Sequence, residues 1–333
     1  MKLRALVIAS LLALTSLLQT SAQAAPQLSI GIAYDIGGPG DRSYNDAALA
    51  GLQKASKKFS IAVDPVVTDG TSSDREKRLR SLIAKGCNPI IAVGGGYAPT
   101  IQLLAIEFPD THFAILNDAS VDALNVTSIV FANTQGAYLA GYSAALVSKS
   151  GKVAMIADPR QADIYQNGFI AGVLAAKNKV KPLVKYVNGS SVVSAKQAMD
   201  AGADILYVAT VGSDSDLFSA VVARNTAKKK PSNFHQVGVI SVEPDQYITV
   251  TPVTKKYLIA SVIKRVDKAM YDVIAMATTD SQYLDTIDST AGIYGHRYSI
   301  TGGGIEFATY SSSLIAKQAL INAAAATAEK IQG

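Results

Sequence analysis

The chain has 333 residues, of which 49% are hydrophobic and 17% are charged, with 31 basic and 26 acidic side chains. Its one cysteine, Cys87, excludes an intramolecular disulfide and a thiolate metal cluster, so a hydrophobic core has to stabilise the fold. The formal net charge of +5 is small for this length and no basic stripe occurs, which excludes an electrostatic nucleic-acid-binding surface.

Residues 1–24 are predicted to form a secretory signal peptide. Lys2 and Arg4 precede an apolar run that is too short to span a bilayer as a stable helix. The small residues Ala22 and Ala24 suit cleavage after Ala24, and a retained membrane anchor is the alternative. Because Cys87 is far from the cleavage point and no cysteine lies directly after it, we expect a soluble exported protein without a lipid anchor, in the periplasm or at the outer face of the plasma membrane.

From Leu28 onwards, short apolar runs alternate with longer segments of helical periodicity, which predicts parallel sheets wound by right-handed crossovers. The predicted buried strands are 28–34, 61–67, 89–93, 112–116, 128–132, 152–156, 182–187, 204–209 and 236–242. The predicted helices between them are 46–59, 73–85, 137–149, 163–177, 194–201 and 214–228.

The strands divide near residues 133–136, which favours two sheets of similar size over one large sheet. Later in the chain, the pattern predicts a long helix over 253–277, strands over 293–299 and 305–310, and a final alanine-rich helix from Ser313. The predicted domains are lobe 1 (25–132 and 244–280), lobe 2 (133–243 and 281–312) and a C-terminal helix (313–333).

The loop after the first strand, residues 35–45, combines glycines, carboxylates, an aromatic ring and an amide. In open α/β sheets the ligand lies outside the carboxyl ends of the strands, which is where this loop is expected. A turn with a helix cap explains the Ser, Asn and Gly residues, but it does not explain Tyr44 beside Asn45 at this edge.

The segment Asp41-Arg42-Ser43-Tyr44-Asn45 resembles the D-K/R-S/G-F/Y-N motif of the basic membrane protein (BMP) family of ABC-transporter receptors. The resemblance covers most of the chain, in the order of the family. Further similar segments are 94–97, 108–115, Asp118, 125–131, 138–142, 165–172, 202–205, 242–246 and 261–267.

This resemblance implies an α/β type I periplasmic-binding-protein fold, with two doubly wound parallel-sheet lobes joined by three crossings around a central ligand cleft. It implies a monomeric receptor without catalysis, cofactor or metal, which binds a purine nucleoside and delivers it to an ABC permease. The implied ligand-binding residues are Asp35, Tyr44, Asn45, Gly94, Asp118, Tyr165, Gly212, Glu243 and Lys264.

The residue types suit a nucleoside, which has a base with two π faces, a polar ring edge and a ribose with hydroxyl groups. Tyr44 is expected to stack on the base and Tyr165 is the candidate for the second face, while Asn45 and Asp118 are expected to contact the ring edge. The ribose is expected to contact Asp35, Glu243 and Lys264.

Alternatives remain open for several of these residues. Asp118 could cap a turn, Lys264 could be an exposed helix residue, and Tyr44 and Tyr165 could be packing residues. The family usually has Asp at the position of Glu243 and a glycine-rich loop where this chain has the carboxylate-bearing segment 210–216. These departures leave the choice of ligand open.

Three other functions are weighed against transport. The three histidines lie in or beside predicted strands and turns, where a structural role is expected. The sequence also contains no nucleophile elbow, zinc motif or phosphate-binding loop, which argues against an enzyme. A regulator of the lac-repressor type would need a DNA-binding segment where this chain has its export signal. An exported sensory receptor for a nucleobase, a sugar or another small polar ligand, signalling through a membrane partner, stays open as the alternative.

Overall fold

The computed structural model describes residues 28–159, 162–176, 179–210, 214–242, 246–279, 287–288 and 292–331. The predicted signal peptide and the predicted ligand residues Gly212 and Glu243 lie outside the described residues. Within the described part of the chain, no helix is both long enough and apolar enough to cross a membrane.

The strands of the described residues fall into two sheets. In chain order they are β1 Leu28–Tyr34, β2 Ile61–Val67, β3 Ile90–Val93, β4 Phe113–Leu116, β5 Val126–Phe131, β6 Lys152–Ala157, β7 Lys181–Tyr186, β8 Ile205–Ala209, β9 Gly238–Val242, β10 Leu258–Lys264, β11 Ile287–Asp288, β12 Ile293–Tyr298 and β13 Ile305–Thr309.

The helices cover both faces of these sheets. In chain order they are α1 Tyr44–Ser56, α2 Ser72–Ala84, α3 Ala98–Glu107, α4 Asn133–Val147, α5 Ala162–Ala175, α6 Ser191–Asp200, α7 Ser215–Thr226, α8 Pro252–Lys255, α9 Val266–Thr279, α10 Ser312–Ile315 and α11 Gln318–Ala328.

The first sheet has seven strands in the order β11-β12-β5-β4-β3-β1-β2, and the second has six in the order β13-β10-β9-β8-β6-β7. Neighbouring strands are parallel except β11 with β12 and β10 with β13. Because helices pack on both faces, the central strands are buried and strongly apolar. This two-lobed architecture confirms the predicted fold class.

The predicted helix over 253–277 is wrong, because this stretch contains α8, strand β10 and most of α9. Strand β10 pairs with β9 on one side and with β13 on the other, and it is largely buried. A short apolar run that is buried on both sides has no alternation to distinguish it from a helix segment.

The strand pairing also differs from the predicted division of the late segments between the lobes. Strand β10, predicted in lobe 1, belongs to the second sheet, and β12, predicted in lobe 2, pairs with β5 of the first sheet. Helix α9 packs on α1 of the first lobe. Periodicity indicates a strand, but it does not indicate which sheet the strand joins.

The chain passes between the sheets three times: after β5, after β10, and between β12 and β13. The third crossing is hydrogen-bonded to both of the others. The amide of Ala132 donates to the carbonyl of Tyr298 at 2.9 Å, and the amide of Arg265 donates to the carbonyl of Gly304 at 2.9 Å. The three crossings therefore form one connected hinge.

The hinge is also tied to the C-terminal segment through Gln135, which is 4% exposed. Its Oε1 accepts from the amide of Ile300 at 3.2 Å, and its Nε2 donates to the carbonyls of Glu329 and Ile331 at 3.4 and 3.5 Å. Helix α11 packs on α4 beside these bonds. One buried amide thus joins the first crossing, the third crossing and the end of the described chain.

Helices α4 and α5 of the second lobe touch through their backbones. A Cβ atom at Gly141 would lie 2.1 Å from the carbonyl oxygen of Phe169, and one at Gly172 would lie 2.0 Å from that of Tyr138. Only glycine permits so close an approach of two helices. In the first lobe, α1 and α9 form a comparable packed pair.

Candidate ligand-binding cleft

The carboxyl ends of the strands in both sheets point towards the crossings. Strand β5 runs directly into the first crossing at Ala132, and β10 runs into the second at Arg265. Since parallel strands end at the same edge of a sheet, the loops after β1, β3 and β4 share this edge in the first lobe. The cleft between the lobes is therefore bordered by Asp35, the turn at Gly94 and Asp118 on one side, and by Lys264 on the other.

The turn of three glycines after β3 is the centre of the first-lobe site. Gly94 has a φ of +113°, a conformation that favours glycine. A Cβ atom would lie 3.0 Å from Oδ2 of Asp35 at Gly94, and 2.9 Å from Oδ2 of Asp118 at Gly95. At Gly96 it would lie 2.7 Å from Nη2 of Arg75. The absent side chains thus leave room for three charged groups.

Asp35 forms an ion pair with Arg75, a residue that the sequence analysis did not single out. The Nη2 of Arg75 lies 2.8 Å from Oδ1 of Asp35, and its Nη1 donates to the carbonyl of Gly70 at 2.5 Å. The guanidinium carbon lies 5.4 Å from the ring centroid of Tyr97. The Arg75 side chain is 12% exposed and that of Asp35 is 34% exposed, so the carboxylate is the more accessible member of the pair.

Tyr97 completes this support. Its ring is fully buried, and its hydroxyl donates to the carbonyl of Tyr34 at 2.7 Å. Burial raises the pKa of Tyr97, with the charge of Asp35 acting in the same direction, so the hydroxyl keeps its proton as a donor. The ring that underlies Arg75 is therefore fixed to the end of β1.

One oxygen of Asp118 caps a turn, as the alternative interpretation of the sequence has it, and the other does not. Its Oδ1 accepts from the amide of Ser120 at 2.7 Å and from the hydroxyl of Ser120 at 2.6 Å. Its Oδ2 lies against Gly95. Among the described residues, no donor reaches Oδ2 of Asp118 or Oδ2 of Asp35. Each carboxylate therefore has one oxygen bonded to the protein and one without a donor from the described residues.

Asn45 holds the loop after β1 in place. It is 2% exposed, and its Oδ1 accepts from the amide of Asp35 at 3.1 Å. Its Nδ2 donates to Oδ2 of Asp41 at 3.0 Å and to the carbonyl of Ile36 at 3.3 Å. This amide fixes the backbone on which Asp35 stands. Tyr44, the first residue of α1, is partly buried and packs against the main core.

Lys264 is the second-lobe group that the sequence analysis placed at the ribose. It is the last residue of β10 and is 1% exposed, which excludes the alternative of an exposed helix residue. Its Nζ lies 5.5 Å from the ring centroid of Tyr165. Its ammonium group thus lies at the carboxyl end of β10, beside the start of the second crossing.

Tyr165 lies beneath Lys264 in the core, at 1% exposure, with its ring edge-on to Tyr207 at a centroid distance of 6.4 Å. This position fits the packing alternative better than a second stacking face. In the loop that follows β8, the hydroxyl of Thr210 donates to Oδ1 of Asp214, and both residues are buried. Asp216 stands exposed in the first turn of α7.

A separate groove lies between α6 and α7 of the second lobe, with a volume of about 800 Å³. Val193, Lys196 and Arg224 are among its lining residues. Asp35, Asp118 and Lys264 do not border this groove, whereas Asp200 and Asp216 do.

Comparison with solved structures shows that this chain shares its two-lobed α/β fold with proteins of known structure. A solute-binding protein of an ABC transporter system from Aeropyrum pernix K1 superposes with a TM-score of 0.68 at 21% identity, covering 89% of this chain and 80% of that one. A putative ribose operon repressor from Burkholderia thailandensis shares the fold at a TM-score of 0.59 and 13% identity, over 85% of this chain and 99% of that one.

Sequence comparison is more specific. The chain is 26% identical to an ABC transporter nucleoside-binding protein, BmpA, from Lactococcus lactis subsp. cremoris, over 91% of this chain and 88% of the relative. It is 31% identical to a CD4+ T-cell-stimulating antigen of Listeria innocua over 73% and 72% of the two chains. Residues 30–314 match the Bmp family, described as ABC transporter substrate-binding protein PnrA-like. The chain therefore belongs to the Bmp family of ABC transporter substrate-binding proteins.

Proposed function

We propose that this chain is the exported receptor of an ABC importer and that it captures a purine nucleoside between its two lobes. The observation that carries the proposal is the pair of free oxygens, Oδ2 of Asp35 and Oδ2 of Asp118, beside the glycine turn. Lys264 ends a strand of the opposite lobe at the same cleft. The predicted signal peptide supports export.

These groups complement a nucleoside. Ribose hydroxyls and ring N–H groups donate to carboxylate oxygens, while an ammonium group donates to hydroxyl or ring acceptors. Tyr44, at the start of α1, supplies an aromatic surface for the base, and stacking of a base on an aromatic side chain contributes about 1–3 kcal/mol. The Lactococcus relative, whose name describes nucleoside binding, supports the same class of ligand.

The charges favour a neutral ligand over a phosphorylated one. Arg75 pairs with Asp35, Lys264 is positive, and Asp118 and the predicted ligand residue Glu243 are negative. Nη1 and Nη2 of Arg75 donate to Gly70 and Asp35, and its Nε is buried, so this guanidinium group does not offer an exposed anion site. A phosphate group would meet two carboxylates on the first lobe, so nucleotides are expected to bind more weakly than nucleosides.

Binding residues on both lobes favour closure around the crossings when the ligand is present. Only the closed receptor, in this mechanism, delivers its ligand to the permease. Small-angle scattering should show a smaller radius of gyration at saturating nucleoside than without it. An unchanged radius would contradict the closure mechanism and leave the ligand assignment to the binding experiment.

The binding experiment is a calorimetric screen of the chain without residues 1–24. Guanosine, adenosine and inosine are compared with their monophosphates, with free nucleobases, and with sugars and amino acids. A bound ligand stabilises the folded state by mass action, by about 2.7 kcal/mol at one hundred times its Kd, and so raises the melting temperature. Binding of a sugar with no response to any nucleoside would refute the purine assignment.

A further inference from the structure

We propose that Arg75 is a positioning residue that decides which oxygen of Asp35 meets the ligand and thereby makes the receptor selective for ribose hydroxyls. This inference rests on the proposed function. Arg75 lies on α2, forty positions along the chain from Asp35, and reaches the carboxylate across Gly96.

Arg75 engages one carboxylate oxygen and leaves the other. Its Nη2 donates to Oδ1, while Oδ2 lies beside Gly94 at the cleft. The terminal torsion of an aspartate is soft, so an unpaired carboxylate would turn freely between two equivalent orientations. The ion pair with Arg75 therefore fixes Oδ2 as an acceptor in one direction.

The guanidinium group is itself held from three sides. Nη1 donates to the carbonyl of Gly70, the ring of Tyr97 lies below the guanidinium plane, and the missing side chain of Gly96 leaves the space that Nη2 occupies. The hydroxyl of Tyr97 in turn donates to the carbonyl of Tyr34, the residue before Asp35. This closed chain of contacts connects the loops after β1, β2 and β3 into one rigid surface.

A fixed acceptor discriminates between ligands more strongly than a mobile one. A ligand that lacks the matching hydroxyl leaves a partly desolvated carboxylate oxygen without a donor, and a site built to bond a hydroxyl rejects such an analogue. Without Arg75, the carboxylate can turn to water or to another donor, so the discrimination should decrease more than the stability of the fold.

The same helix provides a matched control. Arg78 pairs with Asp74, and Arg80 pairs with Glu76 and Glu107. Their side chains are 41% and 40% exposed, compared with 12% for Arg75. Replacing Arg78 removes an arginine and an ion pair from α2 without touching the glycine turn.

The test measures the affinities of inosine and 2′,3′-dideoxyinosine by calorimetry for wild type, Arg75→Gln, Arg75→Lys and Arg78→Gln. We expect wild type and Arg78→Gln to prefer inosine strongly, and Arg75→Gln to lose about tenfold or more of that preference. Arg75→Lys, which keeps the charge, should recover part of it. An equal loss of affinity for both compounds in Arg75→Gln would indicate a merely structural role and overturn the proposal.

A second measurement does not depend on the ligand. If wild type binds no nucleoside, the proposed function fails, and Arg75 is then tested by a double-mutant cycle with Asp35→Asn in urea unfolding. The two substitutions should be strongly non-additive if Arg75 acts through Asp35. Additive effects, with Arg75→Gln equal to Arg78→Gln, would overturn the inference about Arg75 by itself.

Discussion

A Cβ atom at Gly96 would stand 2.7 Å from Nη2 of Arg75, so the smallest possible side chain at this turn already displaces the residue that holds Asp35. The φ angle of Gly96 lies outside the left-handed region, and alanine brings no backbone strain there. The atom that the added Cβ would meet, Nη2, is at the end of the flexible Arg75 side chain. A substitution at Gly96 is therefore expected to change ligand affinity without a large change in the stability of the fold.

Gly96→Ala is expected to lower nucleoside affinity about tenfold with little change in melting temperature, because a hydrogen bond to a charged group contributes about 1.5–3 kcal/mol. Calorimetry and thermal unfolding on the same samples measure both quantities. Gly302→Ala is the control, since the nearest atom to its added Cβ would be 4.0 Å away. Unchanged affinity in Gly96→Ala would show that the position of Arg75 does not affect the ligand.

Lys264→Met is expected to weaken nucleoside binding by about tenfold or more, because the charged donor at the end of β10 is lost while the apolar stem is kept. Equilibrium dialysis with a radiolabelled nucleoside measures the change, and the melting temperature checks that the variant is folded. Lys268→Met, on a side chain that is 37% exposed and paired with Asp272, should bind as wild type does. Full affinity in Lys264→Met would remove this residue from the site.

Gly172→Ala is expected to destabilise the second lobe by about 1–3 kcal/mol, as overpacking does in a close-packed interior. Intrinsic helix propensity predicts the opposite sign, since alanine is favoured over glycine inside a helix. The clash decides, because the added Cβ would lie 2.0 Å from a backbone oxygen of α4. Urea unfolding measures the difference, with the exposed Ala171→Ser on the same helix as control.

Gln135→Ala is expected to destabilise the protein by about 1–3 kcal/mol, because the amide of Ile300 loses its acceptor in the hinge. The same substitution removes the hydrogen bonds from Gln135 to the carbonyls of Glu329 and Ile331 in the C-terminal segment. Small-angle scattering should then show a wider distribution of lobe separations. Gln102→Ala removes a bond to the exposed amide of Asp122 and provides the control. Equal stabilities of the two variants would contradict the hinge role of Gln135.

His296 on β12 gives a pH dependence of stability. Burial lowers the pKa of His296 below the ordinary value of 6.5, against the smaller opposing effect of Asp288 and Asp272. As the pH falls below 6.5, the unfolded chain takes up a proton that the folded chain does not. The free energy of unfolding then decreases, by at most about 1.4 kcal/mol per pH unit, until the pH reaches the folded-state pKa.

His296→Gln should remove this decrease between the folded-state pKa and pH 6.5. Urea unfolding at several pH values from 7.5 down to about 5 measures the slope for both proteins. The Nε2 of His296 is buried and has no hydrogen-bond partner among the described residues, which agrees with a neutral ring. A variant slope equal to that of wild type would assign the decrease to other groups.

The sequence was sufficient for the local elements of the first lobe. Strands β1 and β2 have the predicted bounds, because each is an apolar, β-branched run closed by a polar turn. It was not sufficient for β10, whose residues lie between two helices and are buried on both sides. Its two sheet partners, β9 and β13, are set by tertiary contacts that no local pattern contains.

For the candidate site, the resemblance to the BMP family indicated the candidate ligand-binding residues, but it did not indicate Arg75, which holds Asp35 in place. Arg75 shares α2 with Arg78 and Arg80, and nothing in the local sequence distinguishes Arg75, the least exposed of the three, from the other two. The run Gly94-Gly95-Gly96 was the available signal, since three successive glycines after a buried strand indicate space taken by other side chains. Which side chains fill that space depends on the fold.

The exchange of strands at the third crossing has a consequence for how the chain folds. The first sheet is completed by β12 and the second by β13, and both strands are contributed by residues 293–309. Although domains commonly fold in order from the N-terminus during synthesis, neither lobe here can finish its sheet until this late segment is available. A chain truncated before Ile293 should therefore lose cooperative unfolding in both lobes together, and not in the C-terminal one alone.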